Sequence, residues 1–478
     1  MLSMVVTFLV PAAGAGLIFL AKSRRARLSV LLSTTLAHVS LTASLWEGAR
    51  RPEPGALFGV DAQGLLILSI VSVLYCLVAL HLVAYTRRDA RGAPPVFLAC
   101  HLFSLAAMTL ASFSQHWGLY WVAMEATTLA SAPLLFYHHG PRSLEATWKY
   151  ILIGSVGIAL ALMGTLFLGM AATTMPEAAN SLSFATMLAH ADKLSVPWIK
   201  IAAVFLVVGY GTKMGLAPMH TWKPDAYGEA PPPVAALLSG GLTNCAFLGF
   251  LRVATLCNAA GEAEFIRSTM VVLGLVSIGI AAASVVGQGN YRRMLAYSSV
   301  EHMGILTLAV GVGGLATFGG LLHAVNNALN KGILFLAAGN ILQACRTSEV
   351  KGVTGLFRTL PVSATFLVIG LFAATGFPPF GTFVSEFTIL RGLIAGSGAV
   401  VPALFLAFLA IVFIGMGANI LGMVQGPPAP GAAPARETFA SVFPIAVLAA
   451  FALLLGLHLP EPLERLLREA AAVPGGLR

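Results

Sequence analysis

LLHAVNNALNKGILFLAAGN, residues 321–340, has the length and apolar weight of a membrane-crossing helix, yet it carries a run of five strongly polar side chains over residues 323–331. His323, Asn326, Asn327, Asn330 and Lys331 fall at i, i+3, i+4, i+7 and i+8, which on a helix of 3.6 residues per turn is one continuous face. A polar stripe of this kind is expensive in hydrocarbon and has to be turned toward protein or water.

The rest of the chain shows that hydrocarbon is the solvent. Hydrophobic residues make up 58% of the 478 residues and charged ones 10%. The mean hydropathy is +0.86, far from the balance of a water-soluble domain. Apolar runs of about 20 residues, the length that spans roughly 30 Å of hydrocarbon, recur about fourteen times. They lie near 4–21, 28–46, 61–86, 94–113, 116–137, 146–171, 198–218, 231–255, 267–286, 293–312, 314–343, 361–395, 400–424 and 437–458. The expected fold is therefore an all-α polytopic membrane protein forming a single membrane domain, 1–478.

The first run is expected to stay as a helix, because its basic cluster Lys22, Arg24, Arg25 and Arg27 comes after the apolar stretch, where a signal peptide carries it in front. Summed over alternate loops, Lys and Arg number about fifteen on the side of the 22–27 loop and about seven on the other, which makes the richer side cytoplasmic. The 87–93 and 287–293 loops join it there, and both termini face outward. This bias and anionic lipid account for the net charge of +9 without nucleic acid. Cys76, Cys100, Cys245, Cys257 and Cys345 are widely spaced, with no CxxC and no histidine at ligand spacing, and read as packing residues. With no GxGxxG, P-loop or haem signature, nothing points to a metal, nucleotide or redox cofactor in this chain.

Two runs are interrupted: GYGTKMGLAPMHTWKPDAYGEAPPP (209–233), with Gly215 and Pro218, and GFPPFGTFVSEF (376–387), with Pro378, Pro379 and Gly381. Proline removes a backbone donor and glycine loosens the helix; at membrane depth the freed groups are tolerated only against protein or water. Paired breaks in two halves are also the pattern of an inverted-repeat transporter with a path near the midplane, although kinks made for packing alone give the same wording.

Ionisable residues within the runs carry the chemistry. They are Glu125, Lys213, Glu301, His302, His323, Lys331 and Glu386, with His220 in the first break. Carboxylates, histidines and desolvated lysines exchange protons within reach of neutral pH once burial has shifted them. A structural ion pair is the plainer reading of each, and it is preferred for Asp61, Glu145 and Arg252 near the predicted helix ends. The stripe then reads as one wall of a hydrated path, with His323 and Lys331 roughly 12 Å apart as protonatable stations and Asn326, Asn327 and Asn330 holding water between them.

WVAMEATTL, then KMGLAPMHTWKPDA followed by PPPVAALLSGGL, YSSVEHMG, HAVNNALNKGILFL and GFPPFGTFVSEF together resemble, in this order, the antiporter-like proton-translocating membrane subunits. That superfamily is shared by respiratory complex I, Mrp-type cation/proton antiporters and membrane-bound NiFe hydrogenases. EATTL, LEATWKY and VEHMG are most similar to the hydrogenase-4 and formate hydrogenlyase type. The resemblance implies fourteen transmembrane helices with two inverted five-helix repeats, about 94–255 and 267–424, two broken helices, N-terminal helices within 1–113 and a C-terminal helix and tail at 437–478.

It also implies that Glu125, Lys213, His323, Lys331 and Glu386 carry protons, possibly with Na+ as the alternative ion. Asn244 falls where several relatives have a second lysine, and Glu301 precedes His302 where relatives often have serine; both changes are expected in the path. The function implied is a proton-translocating subunit, in the bacterial inner membrane, of a hydrogenase or related oxidoreductase whose redox centres lie in partner subunits. An Mrp-like Na+/H+ antiporter module, the membrane subunit of an inorganic-carbon uptake system, and a static membrane anchor are the alternatives.

The loop bias makes one prediction. Single cysteines engineered at positions 24 and 466 should be labelled by a membrane-impermeant reagent from opposite sides; equal labelling of both from outside would overturn the topology.

Overall fold

The computed structural model describes residues 2–48, 52, 55–89, 92, 94–174, 181–428 and 434–472. Parts of the 87–93 and 172–197 loops, of the Pro/Gly/Ala-rich 426–435 segment and of the C-terminal tail lie outside the described residues. The chain forms α1 (Leu2–Leu20), α2 (Arg24–Ser44), α3 (Ala62–Arg88), α4 (Pro95–Phe113), α5 (Trp117–Leu135), α6 (Pro141–Ala172) and the short α7 (Phe184–Ala189). The first broken helix comes next as α8 (Val196–Met214) and α9 (Trp222–Glu229), then α10 (Pro232–Leu237), α11 (Thr243–Ala259), α12 (Ala263–Val285), α13 (Tyr291–Val312) and α14 (Gly314–Cys345). After α15 (Leu356–Thr359), the second broken helix is α16 (Pro361–Ala374) and α17 (Gly381–Gly396), and α18 (Val400–Val424), α19 (Phe439–Leu457) and α20 (Glu461–Ala471) complete the chain. Extended pairing among the described residues amounts to three isolated bridges, such as Phe58 with Ser114.

Twelve described helical spans are long and apolar enough to cross a membrane, and α16 is a shorter apolar helix. The difference from about fourteen apolar runs has a physical reason. The 361–395 run is split by its break into α16 and α17, neither long enough alone. The 32-residue α14 is diluted by the polar stripe, and it is not among the twelve. That helix tolerates its polarity because protein surrounds it: His323, Asn326, Asn327, Asn330 and Lys331 are all fully buried. Meanwhile Leu152, Val156 and Leu166 of α6 and Ile414 of α18 stand exposed at the surface. The polar stripe is turned inward and apolar side chains cover the outside, as hydrocarbon requires.

Small residues bring the helices close where the broken helices must be held. A Cβ on Gly209 of α8 would lie 2.6 Å from the backbone nitrogen of Ala161 on α6, and one on Gly157 of α6 would lie 2.6 Å from Thr212 Cβ. The same device joins α12 to α13, where Cβ atoms on Gly274 and Gly304 would each lie 2.8 Å from the other residue's carbonyl oxygen. Between α10 and α11, Leu238–Leu242 form a π-helical turn that is fully buried. Its wider winding turns α11 about the helix axis relative to α10; here Ser239 reaches α13 and Asn244 reaches α14.

The residues near helix ends form ordinary surface and rim pairs. Arg252 bonds Asp61 at 3.4 Å and the Ser114 carbonyl at 2.6 Å, while Lys149 bridges Glu145 and Asp225 at 2.6 and 2.8 Å. Position 466 is a poor labelling site because Leu466 is fully buried, whereas Arg465 beside it is 68% exposed. The impermeant label belongs on a cysteine at 465.

Replacing Gly304 with alanine should cost about 1–3 kcal/mol through overpacking against Gly274, read as a lower melting temperature in detergent. Gly169→Ala, whose added Cβ meets nothing within 4 Å, should not lower it. Equal melting of the two variants would contradict close backbone contact between α12 and α13.

Candidate functional site

Glu125 on α5 and Lys213 in the last turn of α8 do not form a direct ion pair. One hydroxyl stands between them. Lys213 Nζ donates to Thr128 Oγ1 at 2.5 Å, and that hydroxyl donates to Glu125 Oε2 at 3.1 Å. Thr128 lies one helical turn after Glu125, so both face the same side of α5. Ser155 of α6 donates to the other carboxylate oxygen at 3.2 Å, and Tyr150 accepts from Lys213 at 3.2 Å with its ring 4.8 Å from the ammonium. Lys213 is fully buried; Glu125 is half-buried, at the edge of the protein.

A second set with the same parts stands on α13 and α14. Lys331 Nζ donates to Ser298 Oγ at 2.8 Å, and Ser298 Oγ lies 3.4 Å from Glu301 Oε2 as its donor. Here the hydroxyl comes one turn before the acid, where in the first set it comes one turn after. All three side chains are buried.

From this second set the polar line continues along α14. His302 Nδ1 is 2.9 Å from His323 Nε2, and His323 Nδ1 is 3.1 Å from Ser385 Oγ on α17. Glu386 is next to Ser385 in sequence and is buried, with donor atoms of His302, His323 and Glu386 all within 4.8 Å of one another. Glu386 is also the one ionisable residue lining a cavity of about 290 Å³ between α17 and α18, walled by Phe383, Phe387, Phe405 and Phe413. No spacing in the sequence announces this trio, because its members come from three helices. It could pass a proton from ring to ring to carboxylate, or hold a small cation; the hydrogen bond between the rings already engages two of the nitrogens, which favours the proton.

The asparagines divide into two kinds. Asn330 Nδ2 donates to the Ala373 carbonyl at 3.0 Å and to Thr382 Oγ1 at 2.7 Å, clasping both sides of the second break. Asn326 lies against Gly381, where a Cβ would overlap its Oδ1. Among the described residues, the amides of Asn326 and Asn327 have no hydrogen-bond partner. The stripe thus serves the broken backbone. Asn244 donates to the Gly240 carbonyl at 2.7 Å and reaches the Ala324 carbonyl of α14 at 3.5 Å, with its Oδ1 unpartnered.

His220 stands apart from these groups: it is half-buried in the first break, its ring 6.2 Å from that of Tyr297. Pro218, Pro378 and Pro379 are exposed. The helices stop at Met214 and Ala374, each one or two residues before a glycine with positive φ, Gly215 at 74° and Gly376 at 67°. Sequence reading passed over Thr128, Tyr150, Ser298 and Ser385, and over Lys223, which is fully buried within the first break. A hydroxyl three residues from a membrane acid is the one signal that points to the first and third of them.

A family model described as NADH:quinone oxidoreductase/Mrp antiporter, TM, matches residues 114–413, a stretch that holds every one of these groups. A hydrogenase-4 component F homolog from Methylacidiphilum infernorum (isolate V4) is 36% identical over 440 residues, covering 90% of this chain and 91% of that protein. Among solved structures, a chain of the membrane-bound sulfane sulfur reductase, an archaeal respiratory membrane complex, superposes with a TM-score of 0.88 at 20% identity, covering 98% of this chain and 97% of that one. A chain of the Mrp complex from Dietzia sp. DQ12-45-1b gives 0.86 at 20% identity, over 99% and 97%. With most of its length, both broken helices and both lysine–hydroxyl–acid sets inside the matched region, this chain is an antiporter-like membrane subunit and belongs to the NADH:quinone oxidoreductase/Mrp antiporter family.

Proposed function

We propose that this chain translocates protons as a membrane subunit of a hydrogenase-linked oxidoreductase, with the redox centres held by its partners. The observation that carries the reading is the pair of hydroxyl-bridged sets, Glu125–Thr128–Lys213 and Glu301–Ser298–Lys331. Each keeps a lysine close enough to an acid to feel its charge, yet separated by a group that can turn its single proton either way. Opposite unit charges about 5.5 Å apart at an effective dielectric of 20 attract by about 3 kcal/mol. A membrane potential of 100 mV does about 2.3 kcal/mol of work per charge. Moving the acid by a few ångströms is therefore enough to decide whether the lysine keeps its proton against the field.

The proton path runs from Lys213 to Lys331 and on through His302 and His323 to Glu386, which delivers to the outer side at the second break. Water solvating Asn326 and Asn327 bridges the stations, since buried amides without protein partners require it. Glu125, at the protein edge, takes its cue from a neighbouring membrane subunit. The two halves read as inverted repeats, about 94–255 and 267–424: α6 and α14 are both 32 residues long, and each precedes a broken helix. Counting α14 and the α16–α17 pair as crossings gives fourteen, with both termini on the outer face of a bacterial inner membrane. The hydrogenase link rests on the 36% identical relative. A static anchor is disfavoured, because replacing buried ion pairs with apolar residues would serve an anchor as well or better.

Reconstituted in vesicles within its purified complex, Thr128→Val should cut proton transport about 100-fold or more, the range of losing one proton-transfer group, while Thr128→Ser retains most of it. Full transport by the valine variant would overturn the bridge. Separately, Glu386→Ala should abolish translocation and Glu386→Asp keep part of it, with the complex assembled in both; wild-type flux in the alanine variant would remove Glu386 from the path.

A further inference from the structure

Lys223 is fully buried in the first break, and among the described residues no carboxylate pairs with it. Its ammonium is held by two backbone carbonyls, donating to Met214 at 2.6 Å and reaching Ser299 at 3.4 Å. Met214 is the neighbour of Lys213. Ser299 is the neighbour of Ser298, the hydroxyl that joins Lys331 to Glu301. Lys223 thus touches the backbone one residue from each of the two lysine–hydroxyl–acid sets, and among the described residues it is the one buried cation that does so.

The backbone of the break is shaped for it. Gly215, at φ +74°, has no Cβ where one would come within 2.6 Å of Lys223 Cδ and 3.2 Å of its Nζ. The second break repeats the arrangement: Gly376, at φ +67°, leaves room where a Cβ would meet the carboxylate of Glu386. In both breaks the first half-helix ends in a left-handed glycine that cradles the ionisable side chain of the second half-helix. Lys223 is to the first break what Glu386 is to the second. The polar contacts around it continue inward, since Ser239 on the π-helical turn donates to Ser299 Oγ at 3.0 Å, five residues before the uncharged Asn244.

We infer that Lys223 is the middle proton carrier of the path, standing between Lys213 and Lys331 and doing from the break what Asn244 cannot do from the next long helix. As a neutral amine it takes a proton arriving from the Lys213 side to become the ammonium, and as ammonium it releases that proton toward Ser298 and Lys331; each transfer breaks one N–H or O–H bond as it forms another, and the amine ends as it began. This rests on the proton-translocating reading above, and the test separates the two.

The test uses the purified parent complex in sealed vesicles, driven by its own redox reaction, with internal acidification tracked by a pH-sensitive dye. Lys223→Gln keeps a donor for the Met214 and Ser299 carbonyls but carries no proton. It should lower acidification about 100-fold or more, the loss expected for one proton-transfer group, and adding Asn244→Lys should recover part of it, which a packing role for Lys223 would not allow. Lys223→Arg, which keeps the charge and gives up no proton, should be as silent as the glutamine variant. It also serves as the deciding variant if the glutamine complex fails to assemble. Lys213→Met is measured beside them. Wild-type acidification in Lys223→Gln or Lys223→Arg while Lys213→Met is silent would overturn the role of Lys223 alone. Wild-type acidification in all three would overturn the proton-translocating reading itself.

Discussion

A lysine and a carboxylate joined through a single hydroxyl is the interaction that gives the buried polar line its purpose. A direct buried ion pair would hold both charges and resist either partner changing state, because each would leave the other uncompensated. A buried lysine with neither an acid nor a carbonyl to accept from its ammonium would lose its proton to desolvation and stay neutral. The bridged arrangement lies between these limits. Thr128 and Ser298 each accept from an ammonium while donating to an acid, so either partner can change state with its hydrogen bonds rearranged instead of lost. On the proposed proton-translocating reading, such a bridge holds the proton weakly enough to move and firmly enough to have an address.

Everything else in the fold keeps these groups in place and out of the lipid. Two half-helices must end in mid-membrane, and their freed carbonyls must be satisfied by side chains. Lys223 satisfies Met214 in the first break, and Asn330 satisfies Ala373 in the second. Glycine contacts between α6 and α8 and between α12 and α13 bring backbones close enough to fix helix positions without large side chains that would fill the path. The outer helices carry the apolar surface that lets α14 be polar.

Much of this was legible in the sequence, and for a local reason. Composition and run length define the solvent, and the i, i+3, i+4 spacing of His323, Asn326, Asn327, Asn330 and Lys331 lies within three turns of one helix. Charges at membrane depth stand out because they are rare. The hydroxyl partners were not legible: threonine and serine are common in buried helices and usually bond the carbonyl one turn back, as Thr307 does to Met303. Nor was the meeting of His302, His323 and Glu386, which depends on how three helices pack. Lys223 was hidden by its context, for HTWKPDA reads as a polar turn at a helix break, where a lysine is unremarkable until its burial is known. Reading the stripe only as a wet wall also missed that Asn330 serves the backbone of the second break. His220 shows the converse, a histidine conspicuous in sequence that stands away from the buried line.

The central claim is that both hydroxyl bridges belong to one path in series. The most direct measurement is proton flux in vesicles carrying the complex with Thr128→Val, with Ser298→Ala, and with both together. A single path predicts that either substitution alone removes most of the flux and that the pair removes little more. If each alone removed about half and the pair removed all of it, the two sets would serve separate paths, and one continuous line from Lys213 to Glu386 would be contradicted.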